Sequence, residues 1–240
     1  PTSLSSIFVI SEALLLRTGS PNVRIEYDID LRLAMSHESE ASDHYFSGDP
    51  KVASKPRETS FTHNGRLFTI TTDRGVFAYG SVDLGTQVLL DSVPEPSPGP
   101  ALDIGCGTGT IAIALASHQS VGPVYAIDTN ARAIELTRSN AHANNLTDVK
   151  VFLPDDVPND VEFATIWSNP PIRIGKEALH ALLMRWLPRL SVSGAGWLVV
   201  QRNLGADSLQ RWLQDQGFDV ERTASRKGFR VLRVTQARRG

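Results

Sequence analysis

The chain has 240 residues, 41% hydrophobic and 21% charged, which suits one sizeable soluble core with room for a small appendage. A single cysteine, Cys106, excludes an internal disulfide framework and fits a reducing cytoplasm, the expected location; no apolar run is long enough to span a bilayer. The net charge of −2 hides an asymmetry: residues 1–50 carry three basic and eight acidic side chains, whereas residues 201–240 carry nine basic and four acidic.

Residues 7–16 are apolar but contain Glu12 and follow no basic stretch, so they do not read as a signal peptide. Residues 23–33 alternate apolar and charged side chains, the pattern of a half-buried strand. Met35 opens a polar segment that reads as a natural start, leaving residues 1–34 as an extension of undetermined role. Residues 60–63 and 66–72 flank Asn64-Gly65, a pair suited to a tight hairpin turn. Residues 83–92 read as a short helix. The proline-dense stretch 94–100 then marks the boundary between a lead-in (35–97) and a catalytic domain (98–240).

Beyond it, strands are expected at 102–104, 124–127, 149–153, 163–167 and 197–200. Helices are expected at 110–117, 131–144, 176–187 and 206–216. Two final strands, 219–223 and 229–234, follow one another without a helix. Alternation of strand and helix predicts an α/β fold of the Rossmann-like kind, a mostly parallel seven-stranded sheet with helices on both faces. The closing strand pair adds an antiparallel edge strand, and a hairpin and helix precede the sheet.

The sharpest motif is Leu102-Asp-Ile-Gly-Cys-Gly-Thr-Gly-Thr110: a strand runs into Gly105, Gly107 and Gly109, then into a helix whose first N–H groups are free. A second strand ends in Asp128, where a carboxylate can accept both hydroxyls of a ribose. A nicotinamide site prefers a third glycine where Thr110 stands. Asp103 would repel a diphosphate and attract an ammonium. Both features favour S-adenosyl-L-methionine over a dinucleotide. After the third strand, Asp155 is preferred to Asp156 as acceptor for the adenine amino group. Cys106, inside the loop, reads as a small packing residue.

The fourth strand runs into Asn169-Pro170-Pro171-Ile172, at the end of the sheet where open parallel sheets bind ligands. Prolines fix the backbone and remove donors, so Asn169 and the Pro170 carbonyl are expected to present acceptors to an –NH₂ group. An exocyclic amine is a poor nucleophile because its lone pair is delocalised. Acceptors that orient it and stabilise positive charge growing on nitrogen would assist methyl transfer, and no strong base is required.

Taken together, Gly105-x-Gly107-x-Gly109, Asp128 and Asn169-Pro-Pro-Ile172 resemble the class I amino-methyltransferases. Thr72-Asp-Arg-Gly-Val-Phe-Ala-Tyr-Gly80 and Asp83-Leu-Gly-Thr-Gln-Val-Leu-Leu90 look like the lead-in of the small-methyltransferase group. That group includes ribosomal small-subunit RNA guanine-N2 methyltransferases and shorter archaeal relatives, and the resemblance spans about residues 44–234. Asn169-Pro-Pro-Ile-Arg-Ile-Gly-Lys176 and Lys227-Gly-Phe-Arg-Val231 look most like the shorter members. It implies that Phe77 and Thr86 touch the cofactor and that the substrate is ribosomal RNA or the small ribosomal subunit. Two departures stand out. The aromatic residue common at the fourth motif position is Ile172 here, so stacking on a base would fall to Phe77, Tyr79 or Phe46. Longer bacterial members also carry an additional N-terminal methyltransferase-like domain, for which 240 residues are too few.

The basic side chains Arg173, Lys176, Arg226, Lys227 and Arg230, with Arg238 and Arg239, read as a phosphate-facing patch or as a solvated edge. The six histidines show no metal-ligand spacing, so neither a metal nor a membrane is expected, and a monomer is the default. Two other functions remain on the sequence: methylation of a protein glutamine amide, which the modest net charge favours, and RNA binding without catalysis, which intact Asp128 and Asn169 oppose.

Overall fold

In the computed structural model, residues 52–237 are described. The expectations for residues 1–34, for Phe46 and for Arg238 and Arg239 lie outside them. Nine strands and five α-helices follow in chain order among the described residues. They are β1 (Arg57–His63), β2 (Arg66–Thr72), α1 (Leu84–Leu90), β3 (Gly99–Ile104), α2 (Thr110–Ala116), β4 (Val121–Ile127), α3 (Ala131–Ala143), β5 (Val149–Phe152), β6 (Phe163–Ser168), α4 (Lys176–Trp186), β7 (Leu190–Gln201), α5 (Ala206–Asp215), β8 (Phe218–Arg226) and β9 (Phe229–Gln236).

Strands β3 to β9 form one sheet in the order β5-β4-β3-β6-β7-β9-β8. Pairing is parallel from β5 to β7, and β9 runs antiparallel to both β7 and β8. The reversed strand is therefore β9, second from the edge, and β8 is the outermost strand. A two-residue turn at Lys227-Gly228 joins them, with both φ angles positive (50° and 80°).

Strands buried on both faces explain the near-continuous apolar runs in the sequence. All six residues of β6 are buried. Along β4, Val124 and Ala126 face one core, while Tyr125 and Ile127 face the other. Helices α4 and α5 cover the second face with Leu179, Leu183, Trp186, Leu209 and Leu213. The first face is covered by α1, α2, α3 and the β1–β2 hairpin, whose Phe61, Phe68 and Ile70 enter the same cluster as Ile111, Trp167 and Val199. Each such side chain contributes about 1.5–3 kcal/mol on burial. The proline-rich stretch before β3 thus connects two parts that share one core.

Strand β7 extends well beyond the four residues expected, to Leu190–Gln201. Its first half, Ser191-Val-Ser-Gly-Ala-Gly196, has the composition of a turn. Pairing of Leu190 with Phe163 and of Ala195 with Thr165 holds it extended, so tertiary context outweighs local preference.

The hairpin docks by an arrangement that no periodicity reveals. Asn140 and Asn144, one helical turn apart on and just after α3, act as a substitute strand for the free edge of β2. Asn140 Oδ1 accepts from the Thr71 N–H at 2.8 Å and its Nδ2 donates to the Thr71 carbonyl at 2.8 Å. Asn144 Nδ2 donates to the Thr69 carbonyl at 2.8 Å. A third Asn140 bond, from Nδ2 to the Thr108 carbonyl at 2.9 Å, ties the hairpin to the glycine turn.

Candidate active site

Because β3, β4, β5 and β6 are parallel, their carboxyl ends lie along one edge of the sheet, and the glycine turn, Asp128, Asp155 and Asn169 each follow one of those ends. The glycine turn joins β3 to α2. Gly105, Gly107 and Gly109 all have positive φ, at 75°, 54° and 84°. At Gly107 a side chain would enter open space, with nothing within 4 Å. At Gly109 it would stand 3.2 Å from the Thr137 backbone, so the residue that caps α2 must lack a Cβ.

Asp128 spans this turn from the end of β4. Its Oδ2 accepts from the Gly107 N–H and its Oδ1 from the Asn130 N–H, each at 2.9 Å. Burial pushes its carboxyl above the usual range, and these backbone donors pull it back. Asp103 lies behind the turn and is fully buried, with Oδ2 accepting from the Ala112 N–H at 3.0 Å. Burial first, and the like charge of Asp128 besides, push its carboxyl well above the ordinary value. Its Oδ1 is buried without a hydrogen-bond partner among the described residues. An orphaned acceptor there, and the clearing beside Gly107, fit a ligand that brings a cationic donor and lies close against the backbone.

Cys106 belongs to the packing. Its thiol is buried, accepts from Thr137 Oγ1 at 3.3 Å, and is held neutral chiefly by burial. Asp155 is exposed, and its Oδ1 is paired with Arg185 Nη1 of α4 at 2.7 Å. Asp156, in the same one-turn helix of residues Pro154–Asp156, has no side-chain partner among the described residues.

The most informative geometry surrounds Asn169. Its Nδ2 donates to Asp83 Oδ2 at 2.7 Å and to Thr86 Oγ1 at 3.2 Å. A carboxylate only accepts, so the group facing Asp83 is the –NH₂, and Oδ1 is the atom left to accept. Thr86 is buried and contributes by holding Asn169. The Pro170 carbonyl, expected to present an acceptor to an –NH₂ group, also accepts from the Ile172 N–H at 2.8 Å. Pro171, at φ −72° and ψ 76°, makes this an inverse γ-turn, which leaves Pro170 one lone pair to offer. Ile172 packs toward the α4–α5 side of the core.

Of the aromatic residues considered for stacking, Phe77 is 44% exposed. The guanidinium groups of Arg57 and Arg74 lie over the Tyr79 ring, 5.1 and 5.9 Å from its centroid. A ring unforeseen in the sequence stands beside the motif. A side chain at Gly85 would meet Phe229 Cε1 and Asp83 Oδ2, each at 2.9 Å, and Asn169 Nδ2 at 3.3 Å. Asp83, Gly85 and Phe229 are thus site residues that sequence reasoning missed. The lead-in motif contained the first two and Lys227-Gly-Phe-Arg-Val231 the third, but the contact of Asp83 with a residue 86 positions away is tertiary.

Five basic side chains border this edge. Arg173 and Lys176 follow the Asn169 turn and are exposed. Phe229 pairs with Gln201 at the carboxyl end of β7, and the Arg202 N–H donates to the Gly228 carbonyl at 2.8 Å. Arg202, Arg226 and Lys227 therefore stand at the same end, all exposed. Arg230 does not join them. It is ion-paired with Asp207 of α5 and its side chain is only 13% exposed, unlike those five. No cluster of His, Cys, Asp or Glu suited to a metal occurs among the described residues, and none of their helices is long and apolar enough to cross a membrane.

The family model for the methyltransferase small domain matches residues 67–233, from the hairpin to β9. The chain belongs to this family. Among relatives of this small-domain methyltransferase, the "Uncharacterized protein YbxB" of Bacillus subtilis (strain 168) is 38% identical over 197 residues, covering 80% of this chain and 98% of that protein. The "Ribosomal RNA small subunit methyltransferase C" of Acinetobacter baumannii (strain AYE) is 30% identical over 178 residues, covering 70% of this chain. The small-domain methyltransferase spans about half the length of that relative (51%). A solved structure of the T. thermophilus 16S rRNA N2 G1207 methyltransferase, in complex with AdoMet and guanosine, superposes with a TM-score of 0.64 at 23% identity. It covers 78% of this chain and 52% of that one, and shows a shared fold.

Proposed function

We propose that this small-domain methyltransferase, whose cofactor is S-adenosyl-L-methionine, methylates an exocyclic amine, the N2 of a guanine in small-subunit ribosomal RNA. One observation carries the reading: both Nδ2 bonds of Asn169 are consumed by Asp83 and Thr86, so Oδ1 is presented as an acceptor at the carboxyl edge of the sheet. The relatives named as ribosomal RNA methyltransferases and the exposed basic side chains at that edge support RNA as the substrate.

The cofactor supplies an electrophilic methyl group on a sulfonium sulfur. Gly105, Gly107 and Gly109 would shape the turn that receives it, with open space at Gly107; Asp128 would take the ribose hydroxyls, and the orphaned oxygen of Asp103 would meet the ammonium. A carboxylate of the turn after β5, Asp155 or Asp156, would take the adenine amino group. Asn169 Oδ1 accepts an N–H of the substrate amine, turns its lone pair toward the methyl group and stabilises the positive charge that builds on nitrogen. The surplus proton of the methylated amine leaves to water. Arg173, Lys176, Arg202, Arg226 and Lys227 hold the phosphates around the target.

The test is transfer of radiolabelled methyl from S-adenosyl-L-methionine to unmodified small ribosomal subunits and to total protein, side by side. Label that digests to N2-methylguanosine and disappears with Asn169→Ala is the expected result. Label only in protein would replace this reading with amide methylation.

A further inference from the structure

We propose that Asp83 is a positioning residue for methyl transfer, acting through Asn169; this rests on the reading of Asn169 as the acceptor for the amine. An asparagine amide can present either end, and a flipped Asn169 would offer –NH₂ to the substrate amine, donor against donor. Asp83 removes that alternative, because its Oδ2 lies 2.7 Å from Asn169 Nδ2 and can only accept. The same oxygen accepts from the Thr86 N–H at 3.0 Å as the N-cap of α1, so the carboxylate is itself held by the helix it caps.

The contact is built closely. Gly85 has no room for a side chain, because Asp83, Asn169 and Phe229 all crowd the place a Cβ would take. The first turn of α1 is thereby pressed onto the catalytic motif. Thr86 Oγ1, 3.2 Å from Nδ2, accepts the second amide hydrogen. A negative charge on the –NH₂ side also polarises the amide and makes Oδ1 a stronger acceptor for a nitrogen gaining positive charge. Asp83 thus contributes both direction and charge without touching the reacting atoms.

The test uses two variants that keep the helix cap. Serine caps as well as aspartate but is too short to reach Asn169. Asparagine caps, can still accept from Nδ2, and lacks the charge. Asp83→Ser should lower kcat by about 10- to 100-fold with unchanged KM for the cofactor and unchanged affinity for S-adenosylhomocysteine. Asp83→Asn should recover part of that loss. In an Asn169→Ala background, Asp83→Ser should cost nothing further, the signature of two residues acting as one. A readout independent of activity is the Asn169 side-chain NH₂ pair in a ¹⁵N spectrum, assigned by its loss in Asn169→Ala; it should move in Asp83→Ser. Wild-type kcat in Asp83→Ser, additive losses, or an unmoved NH₂ pair would overturn the proposal. If Asn169→Ala itself keeps wild-type transfer, the reading of the motif fails, even where the NH₂ signal reports the contact.

Discussion

Two regions of the molecule use the same side chain for opposite ends. Where the hairpin meets α3, Asn140 spends its amide completely: Oδ1 accepts from Thr71, and Nδ2 donates to Thr71 and Thr108. At the end of β6, Asn169 spends only its nitrogen, on Asp83 and Thr86. The first amide is a fastener, and the second keeps an oxygen with no protein partner among the described residues. An amide is structural when both of its ends find protein partners, and it becomes a candidate for chemistry when the fold satisfies one end and turns the other toward a ligand edge.

The sharpest way to break this contrast is to remove each amide and ask what is lost. Asn169→Ala should reduce transfer on the order of 100-fold or more while cofactor affinity and melting temperature stay near wild type; equal loss of affinity and rate, read by calorimetry and kinetics, would make Asn169 a binding residue. Asp128→Ala should act oppositely, weakening cofactor binding by roughly 10- to 100-fold, as expected for hydrogen bonds to a charged group. Unchanged calorimetric affinity would remove the ribose contact.

Asn140→Ala should act on stability, since it strands the N–H and carbonyl of Thr71 and the carbonyl of Thr108. A cost of about 1–3 kcal/mol is expected in denaturant titration. A loss of activity without loss of stability would erase the distinction between the two asparagines.

The hairpin also carries a pH dependence that the catalytic edge should not share. His63 and His118 bring their Nε2 atoms to 3.1 Å at the far end of the hairpin, and burial pushes both below the ordinary 6.5. The native state therefore binds protons less readily than the unfolded chain. This contribution to stability is present above pH 6.5 and is lost as pH falls through the lowered values. Denaturation between pH 7.5 and pH 5 should show a slope that flattens in His63→Gln/His118→Gln, and an unchanged slope would discard the pair as its source. The smallest effect belongs to single basic residues. Lys227→Ala should weaken RNA binding by a few-fold and lower the salt slope by about 1, whereas Arg230→Ala, with its partner Asp207, should chiefly lower stability.

Much of this protein could be read directly. Periodicity located the sheet strands and their helices, Asn64-Gly65 located the hairpin turn, and the glycine turn, Asp128 and Asn169 each follow a parallel strand, because these features depend on residues near one another in the chain. The expectations that shifted all concerned partners brought from a distance. Asp155, expected to accept the adenine amino group, is paired with Arg185 of α4, and Arg230, expected to face phosphate, stands against Asp207 of α5. The sequence by itself determined the fold class and the family, since strand, turn and helix signals are local. Only the tertiary structure decided which polar atoms remain available, because a donor or acceptor is spent by whatever the folded chain places within about 3 Å of it, and sequence spacing does not carry that distance.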